Sequence, residues 1–599
     1  MKVFLLWHRN GDFGQDLDPY RVASSLQKQF SPLFSCAPTV RIRENAAAAF
    51  VCLELPVRGW KPTFFQEDAR TWACAVDYPI DARPVLQANG IVFEEDYVLP
   101  ALGRALRGNP APFIREMAPP FSMLWGSKDT AEMFVQNDGL GQSQLFEYQD
   151  GRFWAITNKI VALKALGVSL ELDYEQWAVR TALSWFPSNL TGFKKLRFLD
   201  PSTQLHLNQN GVHRTTCDIL SEWVNPDDLS LEECRELARC SLIDQIKAAM
   251  PLWEKPSAGL TGGWDSRAVI GTLRTLSADF TVRVKGQPEK FDVPIASELA
   301  KIAGLDLEIR TSYGLPPEDA DDCKRCISLA LLWQMGYMWS EEHKSFLWEK
   351  RCLDGGQVNI MGQHGEIGRG TYEKAIRAWE VTEEQYEELL VQLLTKDMPS
   401  FMRTGLRERV YEIVREAYRF TGKYGCTGPA RLDLFRLYER TRRRNSGSLN
   451  SQTGLVFAPF LNPNYIRATF AYRRQGGAFY DFKEQLNPFH RHIIATNAPD
   501  WANVTYADVL EGREKKRRIK EALAMPQREP VSVGNWKQSN GKDYYNFGLY
   551  WKVVGKPIID AAISQGGFWT EVFDPLLAEK EWHNAPDDLA MLHLIPQVL

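Results

Sequence analysis

SAGLTGGWDSRAV, residues 257–269, sets two adjacent glycines between a threonine and an Asp-Ser pair, at the point where a strand gives way to a helix. Neighbouring glycines leave the backbone bare, and that exposure costs conformational entropy. A glycine turn from strand to helix serves anions: free backbone N–H groups and the positive end of the helix dipole face the ligand. Thr261 and Ser266 add hydroxyls, and Asp265 can hold Mg²⁺ against phosphate oxygens. The spacing is neither G-x-x-x-x-G-K-[ST], which needs a Lys before the hydroxyl residue, nor G-x-G-x-x-G. Taken alone, the turn fits an ordinary strand-to-helix connection with a capping Asp equally well.

Working outward, the pattern alternates. Ser230 and Glu233 stand at capping-box spacing. Leu231, Cys234, Leu237, Ala238, Leu242, Ile246 and Ala249 then recur at helical spacing. A strand at 257–260, a helix at 264–276, a strand at 280–285, a helix at 293–303 and a strand at 306–310 follow. Such alternation predicts a parallel sheet covered by helices. Beyond about 320 the chain reads as mostly helical. Residues 1–215 read as strand-rich instead, with AAFVCLEL, FSMLWG, AEMFVQN, QLFEYQD and RFWAIT separated by Gly, Asp and Asn turns. The boundary is expected at 216–229.

The bulk numbers bound the function. With 599 residues, two large domains or more are expected. A net charge of −4 gives no global field for nucleic acid or membrane. The ten cysteines form no framework, which fits a reducing compartment. Cys323 and Cys326 make a lone C-x-x-C with no second pair at zinc spacing, so one turn of a helix is the simpler reading. The opening MKVFLLWHRNGDFG lacks the roughly 7–15 apolar residues and small-residue cleavage site of a signal peptide. CISLALLWQMGYMWS, 326–340, falls short of the roughly 20 residues that span a bilayer and predicts a buried helix. A cytoplasmic protein is expected.

LTGGWDSR resembles the S-G-G-x-D-S pyrophosphate loop of the ATP pyrophosphatases, with Thr261 for the first Ser. VKGQPEKFDVPIASELAKIAGLDLEI resembles the second half of the asparagine synthetase nucleotide site, with Gly286 and Asp292 at the family spacing. MGQHGEIGRGTY, 361–372, resembles S-G-E-G-S-D-E-x-F-G-G-Y at Gly362, Gly370 and Tyr372, and FAPFLNPNYIRATF, followed by HRHIIATNAP, resembles the P-F-L-D segment. Four ordered matches across 257–500 identify the chain as similar to the asparagine synthetase family. The front part is similar to that family's class II glutaminase around Asp138 and Gly141. The resemblance implies an α/β fold. An Ntn-hydrolase-like αββα glutaminase-like domain would occupy 1–215. An ATP-pyrophosphatase (adenine nucleotide α hydrolase-like) parallel-sheet domain with a helical extension would occupy 230–599.

By the same resemblance ATP would bind along Leu260, Thr261, Gly262, Gly263, Asp265, Ser266 and Arg267, with Lys285, Gly286, Asp292 and Gly362 around it. Asp265 and Glu366 would hold Mg²⁺, and Arg369 would meet phosphate. The family's glutaminase nucleophile is an N-terminal Cys, which needs its own α-amino group as base. Position 2 is Lys2, so no glutamine hydrolysis is expected and the front domain becomes a wall or lid. Asparagine synthetases place a Glu, and β-lactam synthetases a Tyr, where this chain has Gln363, which cannot act as a base. His364 beside it reads either as that base or as a structural residue.

The family's late Lys falls near Ala507, leaving Lys515 or Lys516 of REKKRRIK as candidates unless that run is a solvated helix face. ERTRRRN, 439–445, reads as a lining for phosphate or an acidic peptide. The departures point away from plain asparagine synthesis and towards cyclases of the β-lactam or lasso-peptide type. The expected function is ATP-dependent amide-bond formation on a small-molecule or peptide carboxylate in natural-product biosynthesis. A leader-peptide or carrier-protein partner would accompany it. Ammonia-dependent amidation and a non-catalytic nucleotide-binding scaffold are the alternatives.

Overall fold

The computed structural model describes residues 2–9, 16–34, 36–151, 153–286, 291–310, 320–334, 356–445, 454–481, 485–513, 556–574 and 576. It is a mixed α/β structure with three sheets. The first 216 residues supply strands β1 (Lys2–His8), β2 (Thr39–Glu44), β3 (Ala48–Glu54), β4 (Phe65–Glu67), β5 (Thr71–Asp77) and β6 (Ser122–Ser127). They continue with β7 (Met133–Asn137), β8 (Phe146–Gln149), β9 (Trp154–Thr157), β10 (Leu196–Phe198), β11 (Thr203–Asn208) and β12 (Gly211–Thr216). These make two six-stranded antiparallel sheets, in the orders β10-β8-β9-β1-β3-β2 and β12-β11-β7-β6-β5-β4.

Strand periodicity explains how the sheets stack. Successive side chains point to opposite faces. Along β1, Phe4 and Leu6 enter the core between the sheets with Trp72, Cys74 and Val135. Val3, Leu5 and Trp7 pack outward beneath Val22, Leu26 and Phe30 of the helix Pro19–Phe30. Both faces are covered, so the strand reads as the unbroken run VFLLW rather than as an alternation. β5 does the same on the other side. Trp72, Cys74 and Val76 point inward. Ala73 and Ala75 pack under Leu99, Leu102 and Leu106 of the helix Val98–Gly108. The result is four layers, helix–sheet–sheet–helix.

The third sheet is parallel throughout. It holds β13 (Ser257–Gly259), β14 (Thr281–Lys285), β15 (Leu307–Arg310), β16 (Val358–Ile360) and β17 (Leu455–Phe457), in the order β15-β14-β13-β16-β17. The first three strands and the helices Trp264–Thr275 and Asp292–Ala303 lie where the spacing predicts them. The capping box at Ser230 and Glu233 starts the helix Leu231–Ala249. β16 and β17 interrupt the stretch expected to be helical, and they complete the sheet. Strand order reverses between β13 and β16. In open α/β sheets, a crevice opens at that point beyond the carboxyl ends of the strands.

The segment 216–229 contains the helix Ile219–Val224, whose Trp223 is fully buried and donates Nε1–H to Arg115 O at 2.9 Å. One apolar core runs from Leu99 and Leu102 through Trp223 to Val269, Ile360 and Phe460, so the two halves share packing. Cys323 and Cys326 fall within the single helix Ala320–Gln334, and the predicted helix at 326–340 is described as far as Gln334. Among the described residues no helix is long and apolar enough to cross a membrane.

Candidate functional site

The glycine turn sits at the crevice. β13 ends at Gly259, and the helix Trp264–Thr275 begins with Gly263 as its N-cap and no side-chain cap. The first N–H groups of a helix have no intrahelical acceptor, so this end presents donors to the crevice. The turn is braced by its own hydroxyls. Thr261 N donates to Ser266 Oγ at 3.0 Å, the two hydroxyls are 2.8 Å apart, and Gly263 N donates to Thr261 Oγ1 at 3.2 Å. Asp292, opening the next helix, accepts from Gly262 N at 2.8 Å through Oδ1.

The segment after β16 forms the opposite wall, and two glycines let it come close. A Cβ on Gly362 would lie 2.8 Å from the backbone carbonyl carbon of Asp265 and from Ser266 N. A Cβ on Gly365 would collide with Asp265 Oδ1 and come within 2.9 Å of His490 Nε2. Between the walls stand two carboxylates with cationic neighbours. Asp265 Oδ1 lies 2.7 Å from His490 Nε2, and its Oδ2 lies 3.3 Å from an Arg369 guanidinium nitrogen. Glu366 Oε1 lies 3.2 Å from Arg436. Burial works to raise both carboxyls. His490, 2.7 Å away, and the Arg369 charge nevertheless hold Asp265 below its ordinary value, and His364, where acid has protonated it, and the Arg436 charge do the same for Glu366. Both are carboxylates at neutral pH.

His364 lies between them in sequence and environment. It takes the left-handed conformation at φ 71°, uncommon for a residue with a side chain. It is 1 % exposed, and among the described residues neither ring nitrogen has a hydrogen-bond partner. Burial pulls its pKa down to about 4, so the ring is neutral at pH 7. A buried unpartnered polar side chain at a crevice needs an explanation, and a ligand seated there supplies one.

The remaining expected residues fall into distinct places. Leu260 is buried behind the turn and donates its N–H to Arg283 O at 2.9 Å. Lys285 and Gly286 end the neighbouring strand, with Gly286 N on Arg310 O at 3.1 Å. Arg369 is the cation of the opposite wall, and besides Asp265 it reaches Gln485 Oε1 at 3.3 Å. Arg267 is fully buried. It donates to the carbonyls of Val504 at 2.8 Å, Thr505 at 2.6 Å and Gly262 at 3.2 Å, with its guanidinium 3.8 Å from the Tyr506 ring. That makes it a strut behind the turn rather than a phosphate ligand.

Ala507 also seats against the turn. Its N–H reaches Gly262 O at 3.0 Å, and a Cβ on Gly262 would meet its own Cβ at 2.7 Å. A longer side chain has little room on that side. Lys515 and Lys516 lie outside the described residues. In ERTRRRN, Arg442 and Arg443 are buried and donate to Ser188 O and Asn189 Oδ1, while Glu439 accepts from Ser188 N at 2.8 Å. These three side chains fasten the front-half loop at 188–189.

Sequence reasoning assigns no role to His490 or Arg436. HRHIIATNAP carries His490, yet nothing local indicates that it meets Asp265. In the front half, Lys2 is partly buried and donates Nζ to Ala75 O at 3.0 Å and Val76 O at 2.7 Å, over the Phe64 ring at 3.0 Å. Burial lowers its pKa to about 8. Asp138 accepts backbone N–H bonds from Leu140 and Gln142 on Oδ1 and from Ser143 on Oδ2, shaping the turn that contains Gly141.

No protein-family model matches the chain, and no curated protein matches it. Among solved structures it is similar to the allosteric regulatory enzyme of purine biosynthesis, at 12 % identity and TM-score 0.23, over 63 % of this chain and 77 % of that one. It is similar also to the glutamine phosphoribosylpyrophosphate amidotransferase of B. subtilis complexed with ADP and GMP, at 12 % identity and TM-score 0.23, over 63 % and 78 %. Similarity at that level assigns neither family nor activity, and the chemistry has to be read from the crevice itself.

Proposed function

We propose that the chain is an ATP-dependent carbon–nitrogen ligase. It would convert a substrate carboxylate to an acyl-adenylate with release of pyrophosphate, and a substrate amine would then displace AMP. In this reading 230–599 is an asparagine synthetase-like ATP-pyrophosphatase domain, and 1–215 is a glutaminase-like domain without a nucleophile. The observation that carries the proposal is the convergence of an uncapped glycine turn and two ionised carboxylates at the reversal point of a parallel sheet. Each element alone is common; together they suit a nucleoside triphosphate.

The residues fit Mg²⁺ only with help from the nucleotide. Among the described residues no group of three or more His, Cys, Asp or Glu side chains gathers to hold a metal unaided. Mg²⁺ commonly takes one or two protein carboxylates and completes its shell with phosphate oxygens and water, and Asp265 and Glu366 supply that number. When bound, the ion would offset charge on the departing pyrophosphate. The chain's own part is positional. Thr261 and Ser266 would turn their hydroxyls to phosphate oxygens, Arg369 would balance negative charge beside Asp265, and Arg436 would keep Glu366 ionised. His364, neutral and buried, would offer a ring nitrogen to a hydrogen-bonding ligand group.

The amine is proposed to belong to the substrate, because Gln363 and Lys2 stand where ammonia-using relatives need Glu and Cys. Incubation with ATP and a carboxylate panel, including peptides bearing a free amine, tests the reading by ³¹P NMR and product mass. AMP, pyrophosphate and a product lighter by one water support it. ADP and phosphate would refute adenylation, whereas exchange of hydroxyl for amide dependent on added ammonium would refute only the substrate-amine part.

A further inference from the structure

A second cavity lies beyond the end of the wall segment, where the loop after the helix Tyr174–Leu183 faces the helices Glu373–Trp379 and Tyr386–Thr395. Its volume is about 700 Å³, within the range of small-molecule sites. The lining is mixed. Trp185, Tyr372, Trp379, Leu183 and Leu393 give it apolar walls, and four cations, Lys374, Lys396, Arg440 and Arg444, stand against one carboxylate, Asp397. That carboxylate is at the solvent edge, 86 % exposed, and pairs with Lys396 at 3.9 Å.

Several of the lining residues carry a buried donor without an acceptor. Among the described residues, Arg440 Nε, Trp185 Nε1 and Tyr372 Oη have no hydrogen-bond partner, although Trp185 and Tyr372 are 2 % and 4 % exposed. Arg440 forms no ion pair with any described carboxylate, and its guanidinium stands 5.6 Å from the Trp185 ring. Its neighbours Arg442 and Arg443 are tied to Ser188 and Asn189, so the unmatched charge at Arg440 is a local feature of the cavity. Buried donors are usually satisfied, and such exceptions gathered around one cavity call for an acceptor. Trp379, a 52 % exposed aromatic at the mouth, gives a flat body a surface to lie on.

We propose that this cavity binds an organic anion with an apolar body, its carboxylate or sulfonate group on Arg440 and its body between Trp185 and Trp379. A bare inorganic anion would leave the apolar walls wet, and a neutral hydrocarbon would leave Arg440 unmatched. The site stands apart from the nucleotide reading and needs no ATP.

The test uses the full chain without nucleotide and titrates 8-anilinonaphthalene-1-sulfonate by fluorescence. N-phenyl-1-naphthylamine serves as the uncharged ligand with the same body. One saturable site is expected, with the sulfonate bound at least about tenfold more tightly than the neutral compound, as a charge-assisted contact implies. Arg440→Gln should erase that preference, Trp379→Ala should weaken both ligands several-fold, and Arg419→Gln, in the exposed ion pairs with Glu387 and Glu412, should change neither. If Arg440→Gln does not fold, the sulfonate-to-neutral ratio on the unaltered chain and the Trp379→Ala result decide. Equal binding of the two ligands, no saturable binding, or sulfonate affinity unaffected by both variants overturns the proposal.

Discussion

Gly362→Ala is the sharpest probe of whether the two walls form one site. The added Cβ would stand 2.8 Å from Asp265 C, Asp265 Cβ and Ser266 N, where an ordinary contact begins at 3.4 Å. The walls must therefore part by about 0.6 Å to restore one. Two of the three atoms are backbone at the start of a helix, so no side-chain rotation relieves the contact. Overpacking of this kind costs about 1–3 kcal/mol. A misplacement approaching 1 Å at a reacting centre can cost on the order of 10²-fold in rate. Gly259→Ala is the control: it precedes the turn, has no positive φ, and its Cβ would meet no atom of the described residues within 4 Å. The assay pairs thermal unfolding with MgATP affinity. Gly362→Ala should lower both, and Gly259→Ala should leave MgATP affinity unchanged. A Gly362→Ala protein with unaltered affinity would refute the close apposition of the walls at the ligand.

Two further outcomes follow from buried charges. Glutamine should yield no glutamate above the buffer rate, because Lys2 holds position 2 with its ammonium on Ala75 O and Val76 O; release matching product formation would contradict this. Asp81→Asn should stabilise the chain at pH 8 and lose its advantage near pH 4. Burial raises the Asp81 pKa from 3.8 to about 7 while its Oδ2 accepts from Ala118 N at 2.8 Å. A folded-state pKa above the unfolded value means stability is full below about pH 4 and is lost as pH rises through about 7. The difference is of the order of a few kcal/mol at pH 8. A melting-temperature gap between variant and parent that does not change with pH would sink this assignment.

The alternation from 230 to 310 is legible because each strand and helix is bounded by its own caps and turns. β16 and β17 are not, since three-residue strands such as VNI and LVF carry no period, and the sheet holds them by pairing alone. β1 carries no strand signal in the sequence, because burial on both faces removes the alternation that marks a strand. The carboxylates Asp265 and Glu366 can be found by resemblance, but His490 and Arg436 cannot, since their partners meet them only through packing. Arg267 shows the opposite error. It adjoins the turn in sequence, yet residues two apart on a helix do not share a face. Asp265 therefore borders the crevice while Arg267 braces the loop behind it.

Calorimetric titration of MgATP into the full chain decides whether the crevice binds the nucleotide. One site is expected, weakened at least about tenfold when Asp265→Asn and Glu366→Gln are combined, as loss of charged contacts implies, with the fold retained by circular dichroism. Absence of MgATP binding, or equal affinity in the folded double variant, would contradict it.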